Sequence, residues 1–313
     1  MKLFSKATNF DFMGKRNLAL ALSAILLTIS VVSLISKGLN FGLDFSGGTL
    51  IELGYSNPVD LTAVRESLEK GGIPDAVAQH FGTSQDILIR LAPKQGENDA
   101  DLSTRVVSIL QKATSDKIEL RRVEFVGPQV GDELAEDGGL AVLYALICIF
   151  IYVFFRFEWR FAVGSVAALF HDVLITLGFF SILQLDFDLT VLAACLAVIG
   201  YSLNDTIVVF DRIRENFRKM RKGTSIEIAN TSLNQTLSRT LMTSFTTLLV
   251  LFALFAVGGE IIHGFATALI IGIVVGTYSS IYIASTAAIM LGVSKADLIP
   301  VQKEGVEGEG DLP

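Results

Sequence analysis

Residues 189–212, LTVLAACLAVIGYSLNDTIVVFDR, form an apolar run that nevertheless sets Asn204 and Asp205 side by side well inside it. A helix needs about 20 such residues to cross a bilayer, so the run reads as a transmembrane helix. A carboxylate buried there costs about 3 kcal/mol on insertion scales, and such residues are retained for a role. Asp205 follows Leu189 by 16 residues, roughly 24 Å along a helix axis, which is too deep for an end cap. Ala193, Ala197, Tyr201 and Asp205 are spaced by four and share one face. Gly200, one step away, admits a close neighbouring helix. The charge is therefore expected to face protein or water rather than lipid.

The rest of the chain agrees with a membrane setting. It has 313 residues, 51% hydrophobic and 18% charged, with a mean hydropathy of +0.55. That exceeds the apolar share of ordinary soluble domains. Six apolar blocks are long enough to span, near 18–36, 138–155, 162–183, 189–210, 241–257 and 265–291. The net charge of −7 is uneven: acidic residues concentrate in 44–137 and the tail, basic ones in particular loops. It points to no nucleic-acid partner. Both cysteines, Cys148 and Cys195, fall inside spans as small hydrophobes. Three histidines without ligand spacing suggest no metal.

Orientation follows from positive residues in short loops. Arg156 and Arg160 lie between spans 2 and 3, and the segment 211–240 is dense in Arg and Lys. The opposite loops, QLDFD (184–188) and GGEIIHG (258–264), contain neither. Both termini are expected in the cytoplasm, with 37–137 across the membrane. Lys2, Lys6, Lys15 and Arg16 precede span 1 without a small-x-small cleavage site, so 1–17 reads as a cytoplasmic start before an uncleaved anchor. The tail, 292–313, reads as cytoplasmic, acidic and disordered.

Region 37–137 reads as a small α+β domain. Strands are expected at Gly48–Tyr55, Val77–Phe81, Ile87–Leu91 and Ile118–Val126, around a polar turn G-T-S-Q-D. Asp60 N-caps one helix, which stops at Gly71–Gly72; KQGENDAD leads into a second. The order β-α-β-β-α-β is ferredoxin-like. It contains no nucleophile, metal cluster or phosphate loop, so a binding or mechanical module is expected there. In 211–240, DRIRENFRKMRKG reads as a basic helix and SIEIANTSLNQTLSR as an amphipathic one. Positive-inside anchoring accounts for them, as does contact with an anionic membrane surface or a cytoplasmic partner.

Two readings of Asp205 stand: proton or ion handling, or a structural hydrogen bond with Asn204 and a neighbour's hydroxyl. Arg239, opening span 5, is the expected partner, although an ordinary interfacial cation would look the same. Thr243, Ser244, Thr246 and Thr247 follow it and offer hydroxyls. His171 and Asp172 form a second polar pair in span 3, below a Gly164–Ala168–Asp172 face, as a relay to Asp205 or as packing hydrogen bonds. Gly272, Gly276, Ser280, Ala284 and Ala288 make a close-packing stripe in span 6.

These residues resemble the SecF family, subunits of the bacterial SecDF accessory complex in the RND superfamily. The resemblance rests on GLDFSGGT (42–49), VGPQVG (126–131), FHDV (170–173), VIGYSLNDTIVVFDRIREN (198–216) and TLSRTLMTS (236–244). It implies an α-helical membrane protein of six transmembrane helices, RND-type, with a ferredoxin-like periplasmic domain, in the bacterial inner membrane. It implies a heterodimer with SecD, contacts with the SecYEG channel, YajC, YidC, SecA, translocating preprotein and membrane lipids, and no cofactor beyond the proton-motive force. By motif, Asp205 is implied as the proton-handling carboxylate, with Arg239, Asn204, Asp172 and His171 around it. Asp44, Gly47, Gly48, Gly127, Pro128 and Gly200 are implied as structural positions. The expected function is proton-driven promotion of protein export rather than enzymatic catalysis. The alternatives are an RND-type half-transporter for a small molecule or lipid, and a passive scaffold on the Sec channel.

Overall fold

The computed structural model describes residues 8–92, 99–220 and 222–293. Arg221, the polar stretch 93–98, the first seven residues and the tail from 294 lie outside the described residues.

In chain order the elements are α1 (Arg16–Ser36), β1 (Asn40–Phe41), α2 (Leu43–Ser46), β2 (Gly48–Tyr55), α3 (Leu61–Lys70), β3 (Val77–Phe81), β4 (Thr83–Leu91), α4 (Asp99–Ala113) and β5 (Ile118–Val126). Then come α5 (Pro128–Arg156), α6 (Trp159–Leu183), β6 (Asp186–Phe187), α7 (Leu189–Lys219), α8 (Ser225–Val257) and α9 (Glu260–Ser279). A π-turn (Ser280–Ala284) and α10 (Ser285–Met290) continue the line of α9. Six helical stretches are long and apolar enough to span a membrane, as the apolar blocks predict.

The head is an antiparallel sheet in the order β3-β4-β2-β5. That is the ferredoxin-like arrangement expected from the element order. Asp60 caps α3 by accepting from the Thr62 backbone N–H at 2.9 Å. Ile51, Leu53, Ile87 and Ile89 from the sheet meet Leu68 of α3 and Val106 and Leu110 of α4 in one buried cluster. Each such side chain taken from water contributes about 1.5–3 kcal/mol, enough in sum to hold a small domain. The polar segment expected as a turn after Phe81 is instead strand. Gly82, at φ +74°, makes the reversal, and β4 starts at once with Thr83.

The second face of the sheet is covered where the head meets the membrane bundle. Leu43 of α2 packs with Leu50 and Leu88. Gly47 (φ +65°) turns the chain against α5, where an added Cβ would sit 3.0 Å from the Pro128 Cα. On α5, a Cβ at Gly131 would meet the Phe45 carbonyl at 2.8 Å. The Gly-Gly segment is thus pressed against the start of α5.

Helix boundaries depart from the hydropathy reading in two places. α5 begins at Pro128, ten residues before the apolar block; Asp132, Glu133, Glu136 and Asp137 hide that first part. The described part of segment 211–240 is not a separate pair of helices but the end of α7 and the beginning of α8. Thr224 and Glu227 form a capping box that starts α8. α9 breaks its α pattern at the π-turn, which the small-residue stripe did not signal.

Candidate functional site

α7, α8 and α9 meet around Asp205, which is 2% exposed. Its two oxygens accept long hydrogen bonds from Thr243 (3.4 Å) and Ser244 (3.5 Å) on α8. Neither donor is committed to it. The Thr243 hydroxyl lies closer to the Thr240 and Arg239 carbonyls, at 2.9 and 3.1 Å. The Ser244 hydroxyl lies 2.7 Å from Thr277 of α9 and 3.0 Å from the Thr240 carbonyl. A hydroxyl carries one proton, so the carboxylate competes for both at the weaker distance.

Arg239 is exposed, one turn before Thr243 on α8. Its charge acts on Asp205, but the two form no ion pair. Asn204 does not bond to Asp205; it faces outward on the exposed side of α7. Ala193, Ala197 and Gly200 are exposed on that side too, and a Cβ at Gly200 would meet nothing within 4 Å. The expected close helix approach at Gly200 is therefore not made by any helix among the described residues.

Asp172 of α6 is held quite differently. It is fully buried and accepts from Ser202 of α7 at 2.5 Å and Ser279 of α9 at 2.7 Å. His171 Nδ1 lies 2.9 Å from its other oxygen. The chain continues from His171 Nε2 to Ser23 of α1 (3.1 Å), and from Ser23 to the Tyr278 hydroxyl (3.1 Å). Tyr278 donates to the Ala19 carbonyl at 2.7 Å. Four helices are thereby joined through one short, well-filled network. The small residues of α9 permit it: a Cβ at Gly276 would sit 3.0 Å from Ser202 and 3.4 Å from Asp172. Gly164, expected on the Asp172 face, packs there against the Ala284 carbonyl. No side-chain hydrogen bond between described residues joins this network to Asp205; the two clusters share only α7 and α9.

The end of α7 nearest the head is tied to it. Asp188 caps α7 by accepting from the Val191 N–H at 2.9 Å. Asp44, in the Gly-Gly segment, accepts from the Leu189 N–H, also at 2.9 Å. A carboxylate on a helix N-terminus satisfies an orphan donor and complements the macrodipole. Beside it, β1 and β6 pair in parallel, and Asp186 accepts from Asn40 (2.6 Å) and from Arg90 of the head (3.1 Å). That ion pair is partly exposed, at 21% and 35% for the two side chains, so it is a weak, releasable contact. The helix bearing Asp205 thus carries the head's attachment at its other end.

Sequence reasoning found Asp205, Asp172, His171, Thr243 and Ser244. It missed Ser23, Ser202, Tyr278 and Ser279, because a single serine in an apolar run is a common packing residue. The acid-rich loop QLDFD was a signal for Asp186 and Asp188 that orientation alone did not use.

The family described as "Protein export membrane protein SecD/SecF, C-terminal" matches residues 106–294, and "SecD/SecF GG Motif" matches 32–59. The protein translocase subunit SecF of Vibrio alginolyticus is 54% identical over 298 residues, covering 95% of each chain. That of Pseudomonas aeruginosa is 51% identical, covering 95% of this chain and 96% of its own. The Escherichia coli O157:H7 counterpart is 46% identical, covering 97% and 95%. The crystal structure of SecDF, a translocon-associated membrane protein from Thermus thermophilus, superposes with a TM-score of 0.83 at 39% identity. It is matched over 92% of this chain and 39% of that longer one. The super-membrane-facing form of SecDF gives 0.69 over the same coverage.

Proposed function

The chain belongs to the SecF family of protein translocase subunits, and we propose that its Asp205 takes up and releases a proton to move the head during export. It is a multi-pass membrane protein and a transport component that pairs with SecD. The observation that carries the proton reading is the contrast between the two buried carboxylates. Asp172 has Ser202, Ser279 and His171 at 2.5–2.9 Å, with Ser279 nearer to it than to its other acceptor at 3.1 Å, whereas the two hydroxyls at 3.4–3.5 Å from Asp205 both lie closer to other oxygens. Charge-assisted hydroxyl–carboxylate bonds normally close to about 2.5–2.7 Å. Asp172 is thus fixed by its network as an organiser of the bundle. Asp205 loses little contact when its proton changes.

Hydroxyls around Asp205 supply a path. Tyr201 one turn away on α7, and Thr240 one turn away on α8, have buried oxygens with no hydrogen-bond partner among the described residues. Arg239 supplies a positive field from the far end of the site. A proton arriving at Asp205 cancels its charge in the field of Arg239, and α7 shifts against α8 without giving up a strong hydrogen bond. α7 transmits the shift to its other end, where Asp44 and Asp186 hold the head. The weak Arg90–Asp186 pair is the contact that opens first.

The outward stripe Ala193–Ala197–Gly200–Asn204 is the face we assign to SecD. Small residues allow close helix approach, and Asn204 finds its partner there instead of in lipid. Contacts with SecYEG, YajC, YidC, SecA and preprotein are proposed as part of the same assembly. The membrane is the bacterial inner membrane, with both termini in the cytoplasm and 37–137 in the periplasm, as the positive residues of the short loops support.

The test is Asp205→Asn in the complex with SecD. The amide keeps shape and one acceptor but carries no exchangeable charge. Assembly should persist while proton-gradient-dependent export is lost. A variant that exports normally removes the proton reading and leaves the passive scaffold. A complex that extrudes a small molecule or lipid without preprotein supports the half-transporter.

A further inference from the structure

We propose that the cleft between the ends of α5 and α7 opposite the head is a binding site for the phosphate of an anionic phospholipid. The cleft has a volume of about 420 Å³ and is lined by Arg156, Asp211, Arg214, Glu215, Arg218 and Lys219. The lining side chains are four cations and two carboxylates, a positive balance that draws an anion.

The acids are already engaged in ways that an incoming phosphate can rearrange. Arg156 pairs with Asp211 at 3.2 Å, with both side chains nearly half exposed. Lys219 and Arg212 share Glu215 at 2.5 and 2.8 Å. Exposed pairs of this kind are weak in water, so exchanging one for a phosphate costs little. Arg214 donates to the Arg156 carbonyl at 3.3 Å through Nη1, while its buried Nε has no hydrogen-bond partner among the described residues. Its planar fork suits a tetrahedral oxyanion, which accepts two parallel N–H bonds.

What selects a lipid over a free anion is the wall beside the cleft. Arg156 ends a membrane-spanning helix whose preceding residues Ile151, Phe154 and Phe155 are exposed, Phe155 at 81%. Trp159 is 47% exposed, with the Arg160 guanidinium 5.3 Å above its ring. Trp and Arg at this level form an interfacial belt, and basic pockets between helices at such a boundary fit headgroups. The acyl chains would then run along the exposed α5 surface. Positive-inside anchoring alone predicts general attraction to anionic membranes, with no particular residue needed. A built cleft predicts dependence on Arg214 and Arg218.

The experiment uses the full chain co-produced with SecD, in a neutral detergent, with the thermal midpoint read after adding phosphatidylglycerol, phosphatidylcholine or inorganic phosphate. Phosphatidylglycerol should raise the midpoint, and the other two should not. Arg214→Gln/Arg218→Gln should lose at least half of that rise, while Lys70→Gln on the head keeps all of it. Native mass spectrometry of the unaltered complex, which needs no variant to fold, should show phosphatidylglycerol retained over phosphatidylcholine. Three results would overturn the proposal: a full rise in the double variant, an equal rise with inorganic phosphate, or no preferential lipid retention.

Discussion

Asp44→Ala tests whether the head is fastened to the helix that carries Asp205. The Asp44 carboxylate accepts from the Leu189 N–H at 2.9 Å, one of the four donors that the first turn of α7 leaves without an internal partner. Asp188 serves Val191 and the Thr190 hydroxyl, so it does not replace Asp44. Removing a cap costs about 0.5–2 kcal/mol, and the lost charge at a partly buried helix end adds about 0.3–1 kcal/mol. The sum, about 1–3 kcal/mol, lowers hydrogen-exchange protection locally by roughly 5- to 150-fold. Asp44→Asn keeps an acceptor and should lose only the charge part, about 2- to 5-fold. The assay is amide exchange by mass spectrometry on the SecD complex, read on a peptide spanning 186–192 and compared with one inside α7. The 186–192 peptide should exchange faster while the α7 peptide is unchanged. Unchanged protection at 186–192 in Asp44→Ala would refute the tether, whatever export does.

The Asp172 network gives a contrasting expectation. Asp172→Ala takes the partner from the Ser202 and Ser279 hydroxyls and from the His171 ring nitrogen, at about 1–3 kcal/mol for each buried polar group that finds no substitute. The thermal midpoint of the complex should fall sharply, whereas Asp172→Asn retains most of it; equal midpoints for Ala and native would show that the network holds nothing. In the head, burial and then the nearby Asp116 push the Tyr55 phenol up from 10.0 to about 12. A raised folded-state value stabilises fully below the unfolded value and is lost as pH climbs from about 10 to about 12. Tyr55→Phe should leave tyrosinate absorbance below about pH 11 unchanged; a drop of one tyrosine's worth there would show that Tyr55 titrates normally.

The layout of the chain is written in period and punctuation. Six apolar runs gave the spans, and strand alternation with Asp60 and Gly71–Gly72 gave the head, because both signals are local. Two local rules failed for one reason. Acidic residues at the start of α5 and basic ones at the end of α7 lower hydropathy without ending a helix. The Gly82 reversal was also unreadable, since polar β4 residues look like a turn until their strand partners are known.

The site was legible in part. A carboxylate within an apolar run shows its cost on sight, which singled out Asp205 and Asp172. The difference between them depends on who donates and at what distance, and the donors lie on other helices. Ser202 is 30 residues from Asp172 and Ser279 is 107 away, so no spacing rule connects them. Asn204 misled because adjacency suggested a pair: it lies on the exposed side of α7 while Asp205 is buried, unlike His171 and Asp172, which are both buried and in contact.

The most direct measurement is proton flux through the chain reconstituted with SecD in proteoliposomes, comparing native protein with Asp205→Asn at matched assembly. Loss of gradient-driven flux with intact head exchange protection is predicted. Native flux in the Asp205→Asn complex would contradict the assignment of Asp205 as the proton-carrying group.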